Sequence, residues 1–159
     1  MPSLSCAPLR SVTLLLGLGF TALWAAAAHA ALGGDAASVS GDAAQLGATV
    51  SASSQPLYSV QEFTAATGVR VREYLGRDGV VFALSWSGPV VPDLQLLLGA
   101  HYGDYAAAQA AQQNPGLHRS GRLTLPGAVV ETSGHLRAYS GRAYLPPRIP
   151  AGVALADLN

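Results

Sequence analysis

Lysine does not occur in this chain, cysteine occurs once, and charged residues of both signs make up only 11% of it. The lone cysteine, Cys6, precedes an apolar run and so is not placed as a lipoprotein cysteine, which would follow that run. Beyond residue 30 there is no thiol, which excludes disulfides, a cysteine nucleophile and thiolate metal ligands. Stability must then come from an ordinary hydrophobic core. The nine basic residues are all arginine and are matched by nine acids. A nucleic-acid partner requires a basic surplus that displaces counterions from phosphates, and none exists here. A Gly-x-Ser-x-Gly elbow is missing, as is a glycine-rich loop leading into a helix, so neither a serine hydrolase nor a nucleotide site is indicated. No cofactor is implied.

What is present begins with an export leader. Arg10 is the only charge before the apolar stretch Val12–Ala28, which ends in Ala28-His29-Ala30, the small-x-small pattern of a signal-peptidase site. The strongly apolar part, Val12–Trp24, is shorter than the roughly 20 residues of a membrane span. Cleavage after Ala30 is the expectation, with an uncleaved inner-membrane anchor as the alternative. The expected organisation is a signal peptide over 1–30, an Ala/Ser/Gly-rich linker with room for a short helix near Asp42–Leu46 over 31–56, one domain over 57–147, and a tail over 148–159. The 129 residues after the leader suffice for one such domain.

From Tyr58 the texture is that of strands. Residues 58–64, 69–75 and 80–87 are rich in β-branched and aromatic side chains and are punctuated by Thr67-Gly68 and by Gly76-Arg77-Asp78-Gly79. They predict an antiparallel meander over 58–87. Pairing Gly76 with Gly79 sets Leu75 against Val80, Glu73 against Phe82, Val71 against Leu84 and Val69 against Trp86. All eight then share one core face, with Arg70, Arg72 and Tyr74 on the other. A helix is expected over 92–112, opened by Pro92 and Asp93 and striped by Leu94, Leu97, Leu98, His101, Tyr102 and Tyr105, with a break near Gly103. Strands return at 121–125, 129–133 and 136–145, and the prolines at 146, 147 and 150 end them. The fold class is α+β, a helix packed on an antiparallel sheet.

The segments ALGGDAASV, VREYLGRDGVVFALSWSGPVVPDLQLLLG and GHLRAYSGRAYLP occur in this order and together resemble an exported family of Gram-negative proteobacteria, domain of unknown function 2844. The resemblance implies a periplasmic home and a full-length domain. It implies no activity, cofactor or catalytic residue.

Three sets of residues invite a chemical reading. Arg137, Tyr139, Arg142 and Tyr144 come from a repeated Arg-Ala-Tyr; a β-bulge at Ser140-Gly141 would bring all four to one face, where they could hold an anionic or sugar-like ligand. Otherwise they form a solvated face, with Glu131 pairing with Arg137. Glu73, set among Val71, Leu75 and Phe82, is a candidate general acid or base. His101, His118 and His135 recur at intervals of seventeen, but without the close pair by which metal sites often declare themselves. The preferred reading is a non-catalytic periplasmic module binding an envelope protein or a cell-wall component, with no stable membrane anchor after cleavage. Tyr102 and Tyr105 are further contact candidates. The alternative is a small hydrolase or isomerase using Glu73 or a histidine.

Overall fold

The computed structural model describes residues 32–45, 48–112 and 120–159; the expected leader lies outside them. Among the described residues seven strands form one antiparallel sheet. They are β1 (Ser51–Ser54), β2 (Ser59–Thr64), β3 (Arg70–Leu75), β4 (Val81–Gly88), β5 (Ser120–Leu125), β6 (Ala128–His135) and β7 (Ala138–Tyr144), in the order β1-β2-β3-β4-β7-β6-β5. The expected meander is β2 to β4. Its neighbour across the sheet is β7, so the two halves of the chain meet at the β4–β7 pair. A fourth strand, β1, precedes the meander. Its Ser-Ala-Ser-Ser carries no strand signature and is held through pairing with β2.

Helices cover one face of the sheet. The first, α1 (Ala36–Gln45), starts six residues before the expected turn because Val39 and Ala43, four residues apart, both insert into the core. The second helical stretch runs over 94–110. It opens with Asp93, whose Oδ1 accepts from the amides of Gln95 at 2.9 Å and Leu96 at 3.2 Å, satisfying two otherwise orphaned donors. The break falls at Gly99, where φ is +49°, rather than at Gly103. It divides α2 (Leu94–Leu98) from α3 (Tyr102–Ala110) by one 3-10 turn. Leu97, Leu98 and Tyr105 pack on the sheet beside Val69, Val71, Leu84 and Trp86.

The register of β3 and β4 differs from the expectation. Gly76 donates to the carbonyl of Val80, so the turn is one residue longer than assumed. Tyr74 then stands opposite Ala83 and Leu75 opposite Val81, which leaves Phe82 as an extra residue, a β-bulge. In consequence Glu73 faces Leu84 and Val71 faces Trp86. Phe82 leaves the helical face and joins a second core with Tyr74, Ala83, Val129, Tyr144 and Leu158. The last fourteen residues cross this opposite face in two 3-10 turns, Pro146–Arg148 and Leu155–Asp157, and bury Leu158 completely. Tyr58 stacks edge-on to Phe82 at 6.1 Å and tilted to Tyr74 at 5.9 Å, closing the aromatic side of that core.

Candidate functional site: an arginine–serine groove

Side chains alternate along each strand, and the registers align them into rows across the sheet. On the face opposite the helices, the row Tyr74–Ala83–Tyr144–Val129 lies beneath the C-terminal segment. The next row reads Glu62–Arg72–Ser85–Arg142–Glu131–Arg122. The third reads Thr64–Arg70–Ser87–Ser140–Ser133–Ser120, every member of which is exposed. Burial thus falls off along the strands from an aromatic row, through a charged row, to a row of hydroxyls. The last two rows, apart from Glu62 and Thr64 on β2, line an open groove of about 660 Å³ together with Trp86, and Asn159 stands on its wall.

Two Arg–Glu–Arg clusters flank the centre of this groove. Glu62 binds Arg72 Nε at 2.5 Å and Arg70 Nε at 3.6 Å. Glu131 binds Arg142 Nε at 2.6 Å and Arg122 Nη1 at 3.1 Å, and accepts from the Tyr144 hydroxyl at 3.3 Å. Ser85 sits between the clusters. Four guanidinium groups share two carboxylates, so the side chains of the groove carry a surplus of two positive charges in a chain whose formal net charge is zero. The inner pair is fixed further by the C-terminal segment: Arg142 Nη1 donates to the Leu155 carbonyl at 2.7 Å, and Arg72 Nη1 donates to the main-chain oxygen of Asn159, as does the Tyr74 hydroxyl at 3.1 Å. The outer pair reaches into solvent, Arg70 with 55% and Arg122 with 60% of its side chain exposed. The bond to Glu62 is the main cause that holds Arg72 above its usual arginine pKa. Burial raises the Tyr144 phenol, and the charge of Glu131 raises it further.

The repeated Arg-Ala-Tyr is divided by the sheet. No bulge occurs at Ser140-Gly141; β7 pairs without interruption with both neighbours. Arg142 and Tyr144 therefore lie on the groove face, whereas Tyr139 points to the helical face. Arg137 belongs to neither, since the β6–β7 turn falls at Leu136-Arg137, three residues beyond the expected Ser133-Gly134, and Arg137 adopts a φ of +63° there. Gly141 has another reason to be glycine: the Trp86 indole lies over it across the β4–β7 pair. The partner of Glu131 is Arg142 together with Arg122, not Arg137.

Tyr139 instead lines a second cleft, of about 610 Å³, between the helices and the β6–β7 hairpin, with Trp86, Leu94, Tyr105 and Leu136. Burial raises the Tyr105 phenol above the usual tyrosine value. Tyr102, half-buried, lies with its ring 6.2 Å from that of Tyr105. Glu73 is 0% exposed on the helical face of the sheet and lines neither the groove nor the cleft. His101 is half-buried in the 3-10 turn between the helices and His135 is exposed at the end of β6, while His118 lies outside the described residues. Among the described residues no group of three or more metal-ligating side chains gathers.

Arg70, Arg122, Glu62 and the serines were not singled out by sequence reasoning. A signal for them exists: Arg70-x-Arg72, Ser85-x-Ser87, Ser120-x-Arg122, Glu131-x-Ser133 and Ser140-x-Arg142 each place two polar residues on one face of a strand. What joins these pairs into one surface is the strand order.

The fold and the groove together define a single-sheet α+β protein, helical on one face and basic on the other. The chain belongs to the family described as "Protein of unknown function (DUF2844)", whose model matches residues 28–158. Neither the curated proteins nor the solved structures gave a match.

Proposed function

We propose that this is an exported, periplasmic, non-catalytic binding module, and that its ligand is an anionic component of the cell envelope held by the arginine–serine groove. One observation carries this reading: four guanidinium groups gathered around an open groove against two side-chain carboxylates, with the main-chain oxygen of Asn159 meeting Arg72 alone of the four, in a chain with no overall positive charge. Arginine keeps its proton at any physiological pH and presents a planar fork to carboxylate or phosphate, which suits it to holding an anion. The export reading rests on the sequence of the first thirty residues. A catalytic role for Glu73 finds no support in its position, which is buried on the far side of the sheet from the groove.

Thermal unfolding of the mature chain with galacturonate or inorganic phosphate tests the groove. The expected result is a rise in melting temperature that is suppressed by salt, lost in Arg122→Gln and kept in Glu73→Gln. A rise of equal size in native protein and Arg122→Gln would overturn the assignment. Fractionation of expressing cells tests the address: a periplasmic species beginning after Ala30 is expected, and a full-length membrane-bound one contradicts it.

A further inference from the structure

The groove has a direction. Its serines stand at equivalent heights on adjacent strands, Ser87 on β4, Ser140 on β7, Ser133 on β6 and Ser120 on β5. Such a row repeats at the strand spacing of about 4.8 Å and runs across the strands. The charged row beside it runs the same way. Arg72 and Arg142 are two strands apart, so their positions differ by about 10 Å along that line. Hydroxyls at a regular step, edged by cations at a doubled step, match a hydroxyl-rich chain that offers a carboxylate on at least every second unit.

The chain's own C-terminal segment shows that the inner arginines of this face hold oxygen acceptors presented along a line across the strands. It crosses the strands beside the groove, and its oxygens at Leu155 and Asn159 accept from Arg142 and Arg72 in turn. The other guanidinium edges, and those of Arg70 and Arg122, flank the open side with the serine row. The floor there carries the small polar side chains of the serine row, with Trp86 and glycines between them. A peptide chain seeks pockets for its side chains, whereas a sugar chain is held by hydrogen bonds along its length.

We infer that the groove binds an acidic polysaccharide laid across the strands, its carboxylates on the arginines and its hydroxyls on Ser87, Ser140, Ser133 and Ser120. This inference rests on the anion-binding reading of the same groove and deepens it by naming the ligand class. Arg72 and Arg142 engage one pair of acidic units, and Arg122 extends the contact to the sheet edge. Binding therefore grows with chain length until the charged row is filled.

Titration calorimetry with galacturonate oligomers of one to six units decides the matter, with neutral maltohexaose and poly-glutamate as comparisons. Affinity is expected to rise at least tenfold between the monomer and the pentamer, which spans the five strands from Arg72 to Arg122, and then level off. It should fall about tenfold in Arg122→Gln and severalfold in the paired variant Ser133→Ala/Ser140→Ala, whose exposed positions leave the core intact, as melting curves would verify. Maltohexaose should not compete. If galacturonate and its hexamer bind equally well, the polysaccharide inference is overturned while the anion-binding groove stands. Poly-glutamate binding as tightly as the hexamer likewise overturns it in favour of an acidic protein partner. Failure of every anion to bind overturns both readings.

Discussion

The indole of Trp86 covers Gly141 across the β4–β7 pair so closely that a Cβ built on Gly141 would stand 2.2 Å from Trp86 Cζ2 and 2.7 Å from the carbonyl oxygen of Glu131. The oxygen belongs to the backbone of a central strand and cannot move away. Gly141→Ala should therefore destabilise the protein by about 1–3 kcal/mol, the range of an overpacked core. Chemical denaturation measures it. A change within about 0.5 kcal/mol would mean that the ring does not lie there.

Leu158 ties the C-terminal segment to the sheet. Its side chain is completely buried against Tyr74, Phe82 and Tyr144. Leu158→Ala should cost about 2–5 kcal/mol. Because Arg72 donates to Asn159, the same substitution should loosen the groove wall and make the segment a site of limited proteolysis. Unchanged stability together with unchanged protease resistance would contradict the docking of this segment.

Two of the six tyrosines, Tyr105 and Tyr144, hold their protons above the usual phenol pKa, in each case chiefly because burial disfavours the phenolate. In the unfolded chain both ionise near pH 10. Between that value and the raised folded one, the unfolded state binds fewer protons, so stability falls as pH rises. The expected outcome is stability insensitive to these groups below about pH 9 and declining above about pH 10. A spectrophotometric titration should show a component for Tyr105 and Tyr144 that ionises above the usual phenol range. Loss of part of that component in Tyr144→Phe would assign it, and an unchanged titration would contradict the raised value.

Much of the fold was legible because its signals are local. β-Branched and aromatic runs marked β2, β3 and β4, and Pro92-Asp93 marked the helix start. Alternation alone placed Arg70, Arg72 and Tyr74 on the face away from the helices. The register failed for an equally local reason: a turn one residue longer than assumed and the bulge at Phe82 each shift the pairing by one, and together they move Glu73 from Phe82 to Leu84. Gly141 was ambiguous, since a strand glycine marks either a bulge or a close neighbour, and only the position of Trp86 decides between them. The candidate site was legible in halves. Each strand displays its polar pair, but the groove exists because β4 lies beside β7, a contact between residues more than fifty apart in sequence.

The location of the binding face can be read directly from the arginine Nε–H signals in a nuclear magnetic resonance titration of the mature protein with galacturonate oligomers. The expected result is movement of the signals of Arg70, Arg72, Arg122 and Arg142, which share the groove, while those of Arg77, Arg137 and Arg148 stay in place. Movement confined to Arg137, or spread evenly over all of these arginines, would contradict the groove as the place where this protein holds its ligand.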